Sequence, residues 1–180
     1  AAAAAAGRPA RAELASRSHP RGDEPDLPPP ITVAFLPAGN QYVDTATRQI
    51  ALVWRNAPAN VHIASAGQPA SEIDSGLRWW VKLPIDPAAT PYTIALSDAR
   101  APQWSVQHAA KAPSPPWMGE AGPRSAAQRL VRALWLLRSD QQNWKLFAVS
   151  EIATLSDDGY FVAVQTWRAI LSGEIKEWLK

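Results

Sequence analysis

From Ile31 to His108 apolar residues alternate with polar or small ones in short runs. Ile31, Val33 and Phe35 share one parity, then Ile50, Leu52 and Trp54, then Val61 and Ile63. Leu77, Trp79, Val81 and Leu83 follow, then Tyr92, Ile94 and Leu96, and finally Trp104 and Val106. Successive side chains of a strand point to opposite faces, so each run predicts a short strand with one buried face. Pro37-Ala38-Gly39-Asn40 and Ala66-Gly67-Gln68-Pro69 read as turns between runs, and no helix of useful length fits between the strands. Six such strands predict an antiparallel β-sandwich rather than βαβ units.

Beyond Pro123 the period becomes helical. Ser125 and Gln128 have capping-box spacing, and Leu130, Val131, Leu134 and Leu137 then lie on one arc while Arg129 and Arg132 point away. A second helix places Trp144, Phe147, Ala148, Ile152 and Leu155 on one face and ends at Asp157-Asp158-Gly159. A third, from about Tyr160 to Leu171, has Phe161, Val164, Trp167, Ile170 and Leu171 as its stripe and Gly173 as its stop. Ile175, Trp178 and Leu179 make a short amphipathic end. A hairpin over 144–170 is the competing reading, because Asp158-Gly159 is a favoured two-residue turn. The length of the flanking runs and their i, i+3, i+4 spacing favour helices. The expected fold is therefore mainly β with C-terminal helices: an immunoglobulin-like antiparallel β-sandwich plus a short helical bundle, loosely like one tetratricopeptide-type repeat. One such helical unit cannot bury its face alone, so it is expected to pack on the sandwich or on another protein.

Four segments follow from these patterns. Residues 1–30 carry Arg8, Arg11, Arg17 and Arg21 against Glu13, Asp23, Glu24 and Asp26, with six prolines and almost no apolar anchors. That composition predicts a disordered arm, in which the Arg21-Gly22-Asp23 triplet is read as accidental. The sandwich takes 31–110, a Pro-rich linker 111–123 and the helical tail 124–180. The Ala-rich start fits the surroundings of a signal-peptide cleavage site and predicts an exported protein, periplasmic or secreted.

The run from Gln49 to Val106 carries a family resemblance. Leu52-Val53-Trp54-Arg55, Leu83-Pro84-Ile85 and Pro91-Tyr92-Thr93-Ile94-Ala95-Leu96-Ser97-Asp98-Ala99 look like the immunoglobulin-like or fibronectin-like modules of bacterial envelope proteins. Antibody-type domains add a cysteine pair between the sheets, which this chain lacks, so the resemblance implies architecture and carries no catalytic residue.

Composition narrows the chemistry. The 180 residues include no Cys, which removes a disulfide framework, a thiol nucleophile and Cys-rich zinc sites. Eighteen basic against sixteen acidic residues give no basic excess, and nucleic acid is not an expected partner. No apolar run is long enough for a transmembrane segment. His19, His62 and His108 have no metal-ligand spacing, and no phosphate-cradling loop, dinucleotide fingerprint or nucleophile elbow occurs. No cofactor is expected. Asp44, Asp74, Asp86 and Asp98 sit where Asp initiates or closes turns. Arg124, Arg129, Arg132 and Arg138 leave an anionic partner open, with a solvated helix face as the default.

Nine tryptophans are the main excess. Trp54, Trp79 and Trp104 have core parity, and Trp135, Trp144 and Trp167 lie on or beside helical stripes. Trp80 has the parity of Arg78 and Lys82, which puts a large ring on a polar strand face, exposed or covered by the tail. The candidate interface is Trp80, Arg78, Lys82, Trp117 and Trp178. Two functions fit. One is a non-enzymatic extracytoplasmic accessory or assembly subunit acting through protein contacts in the envelope or a larger assembly. The other is a carbohydrate-binding module that stacks a sugar on exposed Trp.

Overall fold

The computed structural model describes residues 31–56, 59–65, 69–76, 78–109, 111–119 and 123–179, without the side chains of Pro87, Glu177 and Trp178. The expected arm at 1–30 lies outside these residues. Eight strands precede four helices: β1 (Thr32–Val33), β2 (Gly39–Asp44), β3 (Gln49–Arg55), β4 (Val61–Ser65), β5 (Ser71–Ile73), β6 (Trp80–Pro84), β7 (Tyr92–Leu96) and β8 (Trp104–Ala109), then α1 (Ala126–Arg138), α2 (Lys145–Asp157), α3 (Phe161–Ser172) and α4 (Ile175–Trp178). The strands form two sheets, in the orders β1-β3-β6 and β2-β8-β7-β4-β5. The chain is thus strand-rich with C-terminal helices.

Wholly antiparallel pairing does not hold. β2 runs parallel to β8, from Gly39 opposite Trp104 to Asp44 opposite Ala109. The segment read as a turn at 37–40 enters this strand, with Gly39 at φ +103°, where a side chain would be strained. β5 escaped the alternation pattern because it is an edge strand with little buried surface. β1 is shorter than its apolar run because Phe35 adopts a positive φ of 62°, which ends the extended backbone.

β3 is buried on both faces from Ile50 to Trp54, where alternation predicted one. Register explains why. Ala51 lies opposite Lys82 and Val53 opposite Trp80, so these four share the face that the helices cover. Ile50, Leu52 and Trp54 belong to the other face and join Val61, Ile94, Trp104 and Val106 in a single apolar cluster.

The helices begin and end where local chemistry dictates. Ser125 and Gln128 form a reciprocal capping box at the start of α1. Its last carbonyls, at Leu136 and Leu137, accept hydrogen bonds from the buried Lys145 ammonium at 2.8 Å each, and Ser139 O accepts a third at 2.6 Å. Burial pushes the Lys145 pKa down, against the pull of Asp140. Gly173 closes α3 in the left-handed conformation, φ +88°, and a Cβ there would sit 3.2 Å from Arg55 Nη2. That guanidinium donates to Ile170 O at 2.8 Å, tying the end of α3 to β3.

α2 is buried almost all round and lies against α1, α3, β2 and β3. Its N-cap residue Trp144 makes no side-chain capping bond, so the first turn depends on another part of the chain. The buried Gln41 of β2 supplies the acceptor: Gln41 Oε1 takes the Leu146 N–H at 3.2 Å while its Nε2 donates to Gln142 O at 3.3 Å. One turn on, Ser150 Oγ accepts the Ala51 N–H at 2.9 Å and donates to Leu146 O at 2.7 Å. The Trp54 N–H donates to Trp79 O at 2.9 Å, toward β6, so by alternation the Ala51 N–H points to the opposite side, where β1 reaches only to Trp54 and Arg55. The Ser150 hydroxyl therefore satisfies a buried strand donor that β1 is too short to meet. At the far end Asp157 receives the Lys82 ammonium of β6 at 2.5 Å. At about 100° per residue, positions 146, 150 and 157 fall within about 40° of one another. One stripe of α2 thus makes polar contacts with β2, β3 and β6, in both sheets.

Two expectations for the helices are corrected. Arg132 is only 6 % exposed, whereas Val131 is 40 % exposed, because the buried arc of α1 is centred on Leu130, Ala133, Leu136 and Leu137. The buried stripe of α3 is Ala163, Thr166, Trp167 and Ile170, which leaves Phe161 outside.

Replacing Ser150 by Ala leaves the Ala51 N–H buried without its acceptor, and the expected loss is about 1–3 kcal/mol of folding free energy. Urea unfolding of wild type and variant measures it. A change within about 0.5 kcal/mol would show that this bond does not hold the helix to the strand.

Candidate interface site

The β6 register aims Trp80 at the helices, and α3 meets it there. The Trp80 and Trp167 rings lie edge to face, 82° apart in plane with centroids 6.1 Å apart. Lys82 Nζ sits 5.6 Å from the centre of each ring, and the Arg78 guanidinium carbon lies 5.6 Å from Trp80. A cation over an indole face is worth about 0.5–1 kcal/mol when exposed and more when desolvated. Lys82 is held in place by Asp157, so ring pair, cation and carboxylate form one continuous contact between β6 and the α2–α3 corner.

The structure thus brings together Arg78, Trp80 and Lys82. Trp80 is half-buried, engaged by Trp167 rather than offered as a flat stacking surface. Trp117 is 69 % exposed and makes no ring contact among the described residues, although the next residue, Met118, is buried. Trp178 belongs to α4, and its side chain lies outside the described part.

Trp79, expected in the core, is 42 % exposed. The parity fails because the segment before it is a turn and not a strand. Gly76 has φ +61° and donates to Asp74 Oδ1 at 2.7 Å, while the buried Ser75 hydroxyl donates to Ala59 O at 2.5 Å. Alternation becomes valid only at Trp80, where pairing with Val53 begins.

Phe161 and Val162, adjacent at the start of α3, are 71 % and 50 % exposed, and the sequence pattern had placed Phe161 on the buried stripe. The signal that locates the true stripe is the i, i+3, i+4, i+7 set 163, 166, 167 and 170. Ala and Thr disguise it by contributing little hydrophobic weight.

The remaining candidates have structural partners. Asp44, Asp74, Asp86 and Asp98 each accept, through Oδ1, the backbone N–H two residues on, at 3.0, 2.7, 3.0 and 2.9 Å. Hydrogen bonds from Arg100 hold the Asp98 carboxyl at about 2, below the ordinary carboxylate range. His108 lies with Nε2 3.5 Å from Thr47 O. Among the described residues no group of three or more His, Asp or Glu side chains is placed to hold a metal ion.

Trp80 and Trp117 are separable by stability. Trp80→Ala removes the ring that meets Trp167 and is expected to cost about 2 kcal/mol or more of folding free energy, whereas Trp117→Ala should stay within about 0.5 kcal/mol. Denaturant titration distinguishes them, and equal stability of the two variants would contradict the packing role of Trp80.

Compared with known protein families, curated proteins and solved structures, the chain matches none.

Proposed function

We propose that the chain is an immunoglobulin-like module with a docked helical tail, acting as a non-enzymatic accessory or assembly subunit outside the cytoplasm through protein contacts. The strand order supports the module type. Equating β3, β4, β6, β7 and β8 with strands B, C, E, F and G puts B beside E in one sheet and G-F-C in the other, the partition of that fold. Tyr92, at the start of the strand equated with F, adds a second feature. Its hydroxyl accepts the Asp86 N–H at 2.6 Å and donates to Asp86 O at 2.8 Å, as a tyrosine corner does.

The observation that carries the contact reading is the adjacent exposed pair Phe161 and Val162, together with Trp117. Single exposed apolar residues are ordinary on a protein surface. Two exposed neighbours opening one helix are a different matter, because large apolar side chains of this kind anchor protein interfaces when covered. The sugar-binding alternative loses support because Trp80 is engaged by Trp167 and flanked by two cations, Arg78 and Lys82, rather than offered as an open stacking face.

Chemical crosslinking of the full chain in the native envelope, followed by affinity measurement with the partner identified, tests the proposal. Phe161→Ser combined with Trp117→Ala is expected to weaken that partner by about thirtyfold, near 2 kcal/mol, without loss of folding. Saccharide binding on a glycan array that disappears in Trp117→Ala, with partner binding unchanged, would replace this reading by the carbohydrate-binding module.

A further inference from the structure

A cleft of about 640 Å³ opens where the β2–β3 turn, Lys111, Pro123 and helices α1 and α2 converge. Arg48, Lys111, Arg124, Arg129 and Arg132 line it, against the carboxylates of Asp44 and Glu151. Both carboxylates are already used. Asp44 accepts the Ala46 N–H at 3.0 Å and the Ala112 N–H at 3.4 Å. Glu151 Oε1 accepts Arg129 Nε at 2.7 Å and also lies 3.9 Å from Arg132 Nη2. Among the described residues the four guanidinium groups of Arg48, Arg124, Arg129 and Arg132 outnumber these two carboxylates.

Arg132 is the unusual member. Its guanidinium lies 4.9 Å from the centre of the Phe147 ring, which also lines the cleft, its side chain is more than nine-tenths buried, and among the described residues its Nε has no hydrogen-bond partner. Burial and the charge of Arg124 push the Arg132 pKa down from its ordinary value. A buried guanidinium with an unmet donor is costly unless an anion meets it, and its planar fork matches the oxygens of a phosphate or carboxylate. Arg124, half-exposed, donates through Nη2 to Ser114 Oγ at 2.5 Å and carries further N–H groups. Several guanidinium groups around one small opening suit a dianion better than a single carboxylate.

We infer that this cleft binds a phosphate group, either on a small phosphomonoester or on a lipid headgroup, through Arg124 and Arg132. The phosphate oxygens meet the Arg124 and Arg132 guanidinium groups and offset the excess of cations, and Phe147 supplies an apolar wall. The site is independent of the exposed Phe161–Val162 pair, so its failure leaves the contact reading standing.

The test is calorimetric titration of the full chain at low ionic strength and pH 8, with inorganic phosphate, glycerol phosphate and citrate as separate ligands. Vesicles of phosphatidylcholine with or without phosphatidic acid form a further arm. Phosphate or glycerol phosphate binding that weakens by at least about tenfold in Arg124→Gln and in Arg132→Gln, but not in the exposed Arg138→Gln, is the expected result. Arg124→Gln keeps the test decisive should Arg132→Gln fail to fold. Binding confined to phosphatidic acid vesicles, with the same variant pattern, assigns the headgroup as the source. The inference is overturned by no binding of any phosphate form up to about 10 mM, by binding of citrate alone, or by equal weakening in Arg138→Gln.

Discussion

Helix α2 has no capping side chain of its own, and the amide that satisfies its first turn comes from Gln41, 105 positions earlier in the chain. The dependence is mutual. β3 has a buried N–H at Ala51 that its short neighbour β1 cannot meet, and Ser150 of α2 meets it. Buried backbone donors without partners cost about as much as a lost hydrogen bond, so neither the strand region nor the helix is complete without the other. The remaining features follow from that docking. With α2 fixed, α3 comes to lie against the Val53–Trp80 face, Arg55 reaches the end of α3, and Lys145 closes the end of α1.

The same docking determines what remains available for function. It consumes Trp80, whose ring becomes part of the contact between β6 and α3, and it leaves Phe161, Val162 and Trp117 facing outward. It also creates the cationic cleft, because Arg132 and Phe147 come from different helices and face the β2–β3 turn only once α1 and α2 are in place. The exposed apolar residues and the cationic cleft are thus two consequences of one packing arrangement, on residues that do not overlap.

Much of the strand region is legible in the sequence because period-two alternation survives at Ile50-Leu52-Trp54, Tyr92-Ile94-Leu96 and Trp104-Val106. Those strands bury at least one continuous face. β2 is hidden because its inward residues are Gln41 and Val43, and Gln41 is buried for the sake of a hydrogen bond rather than for its apolar surface. The capping box at Ser125 and the stop at Gly173 are local and were readable. The burial of Arg132 was not, since a guanidinium on an α-helix carries no sign that a Phe ring of the next helix will cover it. Of the candidate interface, the grouping of Trp80 and Lys82 follows from strand parity, while Arg78 precedes the strand and the identity of the covering ring depends on tertiary packing. No periodicity connects Trp80 with Trp167.

The central claim is that strands and helices form one folding unit joined at the α2 stripe. Native-state hydrogen exchange across a denaturant series reads this at the Ala51 amide and at the amides of α2. The account predicts that Ala51, Leu146 and Ile152 merge into one exchange isotherm with the same opening free energy, because opening α2 exposes the strand donor. Exchange of α2 at a distinctly lower opening free energy, with Ala51 remaining protected alongside the rest of β3, would contradict it.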